Sequence, residues 1–75
     1  MAKIIVLGAG LVGGVMAQDL SKNHQVSSVD INMDALLPLS KLGIHTIHAD
    51  ISNSSTIERL IKDYNLVVGA VPGYL

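Results

Sequence analysis

The sequence predicts an α/β fold in which a parallel β-sheet is built from alternating strands and helices. Apolar runs typical of strands buried on both faces recur along the chain, and between them the hydrophobic spacing changes to the period of a helix. With 75 residues, of which 49% are apolar and 15% charged, the chain suits one small domain and is too apolar for disorder. We therefore expect the order β-α-β-α-β-α-β with right-handed crossovers.

The first part of the chain predicts two strands separated by a helix. Ile4–Leu7 is a continuous β-branched and apolar run, as in a strand that is buried on both faces. Leu11–Lys22 has helical spacing, and Gln25–Val29 forms the second strand. The apolar stripe of this amphipathic helix comprises Val12, Val15, Met16 and Leu20.

A second helix is expected over Met33–Lys41, although Pro38 interrupts its pattern. Asn32 is suited to cap its start, and Gly43 suits the C′ position beyond its end. Because proline lacks the N–H group and clashes with the preceding turn, we expect this helix to kink or to begin late.

The second half of the chain predicts a short strand, a helix and a final strand. Ile44–Ile47 is the third strand, and Ser52–Tyr64 follows as a helix with apolar residues at i, i+3, i+4 and i+7. Ser52 and Ser55 are equally plausible N-caps of this helix. Leu66–Val71 is the fourth strand.

A G-x-G-x-x-G motif, residues Gly8–Gly13, stands directly between the first strand and the first helix. Gly8 permits a tight turn, Gly10 lets the backbone approach a pyrophosphate, and Gly13 lets the helix pack closely on the sheet. The free N–H groups and the dipole of the helix attract the anion. Placed between a strand and a helix, the motif predicts a dinucleotide-binding site on a Rossmann-type sheet.

An acidic residue stands at the end of the second strand, about 20 positions after the glycine motif, where a ribose-binding carboxylate is expected. This residue is Asp30, which is suited to accept hydrogen bonds from the ribose hydroxyls of NAD. It would repel the 2′-phosphate of NADP, and the one arginine of the chain, Arg59, is distant in the sequence. The sequence therefore predicts NAD as the cofactor, with NADP disfavoured by Asp30.

Two further loops should face the same crevice, because ligands of such sheets lie beyond the carboxyl ends of the strands. Asp50 is suited to accept a bond from the adenine amino group while Ile51 packs on the ring. Equally, Asp50 is a helix N-terminal acid favoured by the dipole. Val71 and Pro72 form a wall beside the cofactor ribose, or Pro72 simply ends the strand.

The predicted site contains no catalytic residue and no metal ligand. Its cofactor-binding residues are Gly8, Gly10, Leu11, Val12, Gly13, Asp30, Ile31, Asp50, Ile51, Val71 and Pro72. A complete Rossmann domain has six strands, and four are predicted here, so the sheet is incomplete. We expect residues 1–75 to be the N-terminal part of a dinucleotide-binding domain, with the catalytic domain outside this chain and no activity from this part alone.

Composition excludes several other functions. The chain has no cysteine, which excludes a disulfide scaffold and a thiolate zinc site. Five basic and six acidic residues are scattered, and two tyrosines are the only aromatic residues, so we expect no nucleic-acid partner. The apolar run after Lys3 is too short to span a membrane, and its four glycines argue against a secretory signal. We expect a cytoplasmic protein with no membrane partner. The sequence is compatible with a homodimer.

Taken together, four stretches resemble the N-terminal NAD(P)-binding domain of the saccharopine dehydrogenase family. They are Ile4–Gly13, Asp30, the sequence His48-Ala49-Asp50-Ile51 and Leu66–Gly73, and the last is most similar to the lysine 6-dehydrogenase branch. The resemblance implies an oxidoreductase of amino-acid metabolism that oxidises a C–N bond of a lysine-derived amino acid by hydride transfer. It also implies that the glycines hold the pyrophosphate, Asp30 the adenosine ribose, and Asp50 with Ile51 the adenine.

Two other functions share the same signals. The nucleotide-sensing regulatory domains of potassium transport and channel proteins resemble this chain through the glycine motif and the acidic residue. In those domains the loop after the fourth strand typically continues with threonine and polar residues, whereas here residues 71–75 read VPGYL. On that difference we expect the dehydrogenase. A sugar-nucleotide or short-chain enzyme is a weaker alternative, because such enzymes more often carry G-x-x-G-x-x-G.

Overall fold

Four parallel strands form a single sheet in the computed structural model, which describes residues 2–69. The strands are β1 (Lys3–Leu7), β2 (Gln25–Asp30), β3 (His45–His48) and β4 (Leu66–Gly69), and they alternate with the helices α1 (Leu11–Leu20), α2 (Met33–Lys41) and α3 (Ser54–Ile61). The strand order is β3-β2-β1-β4, with β1 paired in parallel to both β2 and β4. The predicted α/β fold is confirmed, and its arrangement is that of part of a Rossmann-type fold.

The chain changes direction across the sheet at β1. From β1 it proceeds to β2 and then to β3 on one side, whereas α3 returns it to β4 on the other side. The carboxyl ends of β1 and β4 therefore flank the switch point, which is where ligands bind in open sheets of this kind. The structure describes β4 as far as Gly69, so the end of the predicted strand at Val71 lies outside the described residues.

Each face of the sheet has its own apolar cluster. On the face covered by α1 and α2, which we call the α1–α2 face, Ile4 and Val6 of β1 pack with Leu36 and Leu39 of α2. On the opposite face, the α3 face, three buried strand residues meet half-buried side chains of α3 and its flanking loops. Those three strand residues are Ile5, Leu7 and Val29.

Helix α1 buries a different side from the one that its apolar pattern predicts. Its buried residues are Gly13, Gly14 and Ala17, whereas Val12 and Val15 are 65% and 61% exposed. The predicted apolar stripe is therefore wrong at Val12 and Val15, whereas Met16 is half-buried and Leu20 packs against the cluster of the α1–α2 face. Small residues let the helix backbone lie close to the sheet, and this proximity turns the larger aliphatic side chains outward.

Helix α2 runs over the predicted range, and its start is not delayed by Pro38. The side chain of Asn32 accepts a hydrogen bond from the Asp34 N–H at 3.0 Å, which confirms the predicted cap. Pro38 is the sixth residue of the helix, so the carbonyl left without its N–H partner is that of Asp34 in the first turn. Because Asp34 is exposed, water can bind that carbonyl, and the helix accommodates the proline.

The ends of α2 and α3 are set by local hydrogen bonds. Gly43 has φ +85° beyond α2, and its N–H donates to the Ser40 carbonyl at 3.0 Å, which confirms the predicted C′ position. Helix α3 is capped by Asn53, whose side chain accepts from the Thr56 N–H at 3.2 Å. The predicted caps Ser52 and Ser55 are therefore wrong, and α3 is shorter than Ser52–Tyr64.

Candidate dinucleotide site

The glycine motif forms a sharp turn between β1 and α1. Gly8 has φ +109°, a conformation that side chains of L-residues rarely adopt, and it is buried. Its N–H donates to the Val29 carbonyl at 2.7 Å, which ties the turn to the end of β2. The requirement for glycine at this position is therefore conformational.

The first turn of α1 leaves its backbone donors open. Gly10 is the N-cap, has extended backbone and supplies no side-chain hydrogen bond, and its carbonyl accepts from the Gly14 N–H at 2.7 Å. The N–H groups that precede this bond have no partner within the helix. Among residues 2–69, a Cβ atom at Gly10 would meet no atom within 4 Å, so these residues leave the space in front of this backbone open. Leu11 is 89% exposed beside it.

Asp30 links two loops at the carboxyl edge of the sheet, by which we mean the edge where the strands end. Its Oδ2 atom accepts a hydrogen bond from the Ala9 N–H at 2.8 Å, and its Oδ1 atom accepts from the Asn32 N–H at 2.9 Å. A carboxylate has about four acceptor positions, so each oxygen keeps the capacity for another bond. The sequence predicted a ligand-binding role for Asp30 but gave no sign that this residue holds the glycine turn.

His48 is a further residue at this edge, and the sequence interpretation missed it. Its Nε2–H donates to the Ile31 carbonyl at 2.8 Å, and the neighbouring Ala49 N–H donates to the Asp30 carbonyl at 3.1 Å. The end of β3 thereby supports the segment that carries Asp30 and the exposed Ile31. The register of the parallel pair, with Asp30 opposite His48, is the feature that could have indicated this contact.

Asp50 is exposed, and its side chain is bound within its own turn. Its Oδ1 atom accepts from the Ser52 hydroxyl at 2.6 Å and from the Ser52 N–H at 2.9 Å. These bonds stabilise the carboxylate and lower the pKa of Asp50. The Oδ2 atom has no protein partner among residues 2–69 and remains the one suited to a ligand. Ile51 is half-buried against the α3-face cluster.

Of the remaining predicted site residues, the structure describes two. Val12 is exposed on α1 and Gly13 is buried beneath it. Val71 and Pro72 lie outside the described residues. In the described part of the chain, the carboxyl edge carries Asp30, Asp34 and Asp50, and no lysine or arginine lies in the turns that carry them.

No group of three or more histidine, cysteine, aspartate or glutamate side chains within residues 2–69 is placed to hold a metal ion. Among the helices of that same stretch, none has the length and apolar character needed to cross a membrane.

Comparison with known proteins identifies one family. The sequence model of the TrkA-N domain matches residues 4–73, which is nearly the entire chain. TrkA-N domains are Rossmann-like domains of potassium-transport regulators and bind NAD(H). No curated protein matches this chain.

This match corrects the resemblance drawn from the sequence. Assignment to the saccharopine dehydrogenase family and its lysine 6-dehydrogenase branch is wrong, and so is the implied amino-acid substrate whose C–N bond would be oxidised. Amino-acid metabolism is likewise not the setting of this domain. The glycine motif and Asp30 occur in both families, and the matched range includes the loop after β4 that had favoured the dehydrogenase. The chain belongs to the TrkA-N domain family.

Proposed function

We propose that this chain is the NAD(H)-binding part of a regulatory domain of a potassium transport protein. Binding of the dinucleotide would change the conformation of the domain, and no reaction would follow. The observation that carries the proposal is the TrkA-N match over residues 4–73, which includes the glycine turn and Asp30. A domain with this role acts on the cytoplasmic side of the membrane.

The open backbone donors of α1 are the groups that would bind the pyrophosphate. The N–H groups of Leu11, Val12 and Gly13 lie at the positive end of the helix dipole, and no side chain caps them. Because no lysine or arginine lies in the turns at this edge that the structure describes, the helix start would supply most of the attraction for the anion.

Asp30 would select NAD(H) over NADP(H). The free acceptor positions of its two oxygens would take hydrogen bonds from the ribose hydroxyls, and its charge would repel a 2′-phosphate. Ile31 and Ile51 would enclose the adenine, with Asp50 Oδ2 near the amino group. Val71 and Pro72 would continue the site toward the nicotinamide half.

The Gly10→Ala variant tests the pyrophosphate site. The backbone at Gly10 is extended with φ −69°, and a Cβ there meets nothing within 4 Å, so alanine should fold without strain. Its methyl group would stand where the pyrophosphate must approach, and we expect NADH affinity to fall by at least about tenfold with unchanged thermal stability. Isothermal titration calorimetry with NADH measures the affinity.

Gly14→Ala is the matched control for that experiment. The added Cβ would lie 3.7 Å from the Ala9 carbonyl oxygen and 3.9 Å from Leu39 Cδ2, which are ordinary contacts on the buried side of α1. We expect this variant to bind NADH like the wild type. Equal NADH affinity of the wild type and Gly10→Ala would contradict the proposed pyrophosphate site.

The Asp30→Asn variant tests cofactor selection. The substitution removes the negative charge that repels the 2′-phosphate and weakens the bonds to the ribose. We expect NADH affinity to fall by about 1–3 kcal/mol and the NADPH affinity to fall less or to rise. Asp34→Asn, an exposed carboxylate in the first turn of α2, is the control. An unchanged ratio of the NADH and NADPH dissociation constants in Asp30→Asn would show that Asp30 does not determine the preference for NADH.

A further inference from the structure

A cleft of about 520 Å³ opens at the amino edge of the sheet, by which we mean the edge where the strands begin. Because all four strands are parallel, this edge lies opposite the candidate dinucleotide site. The volume is within the range of small-molecule sites. Its polar and basic lining includes Lys3, His24, Ser27, His45 and Tyr64.

The two histidines of this cleft both use Nδ1 for a hydrogen bond within the protein. His24 Nδ1 accepts a hydrogen bond from the Ala2 N–H at 2.9 Å, so in the neutral ring the proton is on Nε2. The Tyr64 hydroxyl donates to Ser27 Oγ at 2.7 Å, and the same oxygen lies 3.0 Å from His45 Nδ1 in a hydrogen bond whose direction depends on the tautomer of His45. When the Ser27 hydroxyl donates to His45 Nδ1, each histidine has Nε2–H as the donor that remains for a ligand.

The charge of the cleft is positive and uncompensated. Lys3 Nζ lies 5.2 Å from the centre of the Tyr64 ring, and within residues 2–69 it forms no salt bridge. None of the described residues that line the cleft is an aspartate or a glutamate. The lysines that follow α1 and end α2, Lys22 and Lys41, have an ordinary explanation in the helix dipole, whereas Lys3 lies at the start of a strand.

We propose that this cleft binds a small molecule through an oxyanion group, either a phosphate or a carboxylate. The ammonium group of Lys3 and the Nε2–H donors of His24 and His45 would bind the oxyanion. The Tyr64–Ser27–His45 hydrogen-bond chain would fix the donor of His45 before the ligand arrives. Dinucleotide and oxyanion would then occupy opposite edges of the same sheet.

Nuclear magnetic resonance of the histidine ring nitrogens tests the proposal, because the third histidine is an internal reference. His48 lies at the carboxyl edge, where its Nε2–H is bound to the Ile31 carbonyl. The protein is titrated at constant pH and ionic strength with inorganic phosphate in one arm and sodium acetate in another, with sodium chloride as the balance. We expect saturable shifts of the His24 and His45 signals and none for His48.

The two arms separate the possible ligands. Saturation by phosphate alone indicates a phosphorylated compound, saturation by acetate alone indicates a carboxylate, and saturation by both indicates a general oxyanion site. Linear shifts, or equal shifts of all three histidines, would overturn the proposal.

A pair of lysine variants completes the test. Lys3→Gln should weaken binding of the anion that gives saturable shifts by at least about tenfold, because the substitution removes a charge-assisted hydrogen bond. Lys62→Gln alters an exposed lysine just beyond α3 that does not line the cleft, and it should bind like the wild type. Equal weakening in both variants would indicate general charge attraction and would overturn the site.

Discussion

The helices on the two faces of the sheet pack against the strands in different ways. On the α1–α2 face, α1 has a poorly developed apolar stripe, yet it buries Gly13, Gly14 and Ala17 and lies close to the strands. On the α3 face, α3 has the clearest apolar stripe of the three helices, yet none of its residues is buried. The strength of an amphipathic pattern therefore does not measure how tightly a helix packs.

The difference follows from the size of the side chains at the contact. Residues with little or no side chain let a helix backbone approach the sheet, whereas Leu60 and Ile61 of α3 hold their helix farther out and remain half-buried. Strand residues are buried on both faces, but α2 contributes buried leucines on the α1–α2 face, whereas the α3 face has half-buried helix residues and polar groups such as the Tyr64 hydroxyl. Ser27 and Ser28 are adjacent in β2 and lie on opposite faces, so they allow the two faces to be compared directly.

The largest expected effect comes from removing one leucine on each face. Leu39 of α2 is 1% exposed, so Leu39→Ala should leave a cavity and lower the free energy of unfolding by about 2–5 kcal/mol. Leu60→Ala on the half-buried α3 face should cost less than about 2 kcal/mol. Urea unfolding of both variants measures the difference. Equal losses would show that the two faces are packed equally well.

Replacing either of the two serines by alanine should change the free energy of unfolding by a smaller amount, and the two changes should differ in sign. Ser27 on the α3 face accepts from Tyr64 and contacts His45, so Ser27→Ala should lower the free energy of unfolding by about 1 kcal/mol. Ser28 on the α1–α2 face is fully buried, and its hydroxyl has no partner among residues 2–69. Ser28→Ala should therefore be neutral or stabilising by up to about 1 kcal/mol.

Tyr64→Phe separates the hydrogen bond of Ser27 from its packing. If the bond between Tyr64 and Ser27 accounts for the loss, the double variant should cost less than the sum of the two single variants. Strict additivity in thermal unfolding would assign the loss to the Ser27–His45 contact and to packing. A loss of stability in Ser28→Ala as large as that in Ser27→Ala would contradict the contrast between the faces.

The order of the elements could be predicted from the sequence because β1 and β4 are apolar runs, and segments with helical spacing bounded by turn residues separate all four strands. The same local signals gave the cap at Asn32 and the C′ glycine at Gly43. The buried side of α1 could not be predicted, because hydropathy assigns the larger side chains to the core and cannot register a contact made by the backbone of Gly13 and Gly14. Which residues of α1 contact the sheet depends on the direction in which the helix leaves the glycine turn.

The candidate site was predictable to a similar extent. The positions of Gly8 and Asp30 followed from the motif spacing, but the bonds of Asp30 to Ala9 and Asn32 and the support from His48 arise where three loops meet. The family could not be decided from these residues, because both families use them for the same purpose. The prediction depended on the loop after β4, and a proline and a glycine there were too little to distinguish a dehydrogenase from a sensing domain.

The smallest expected effect concerns the turn before α3. Hydrogen bonds from Ser52 lower the pKa of Asp50 in the folded protein, so they stabilise the fold at neutral pH, and this contribution is lost as the pH falls through the lowered pKa. Ser52→Ala should therefore unfold at a slightly lower temperature than the wild type at about pH 6 and at the same temperature near about pH 2. Ser55→Ala, an exposed residue within α3, should show a difference from the wild type that does not change with pH. Because Asp50 is fully exposed, both differences should be small. A Ser52→Ala difference that persists in acid would mean that the Ser52 side chain stabilises the turn independently of the charge of Asp50.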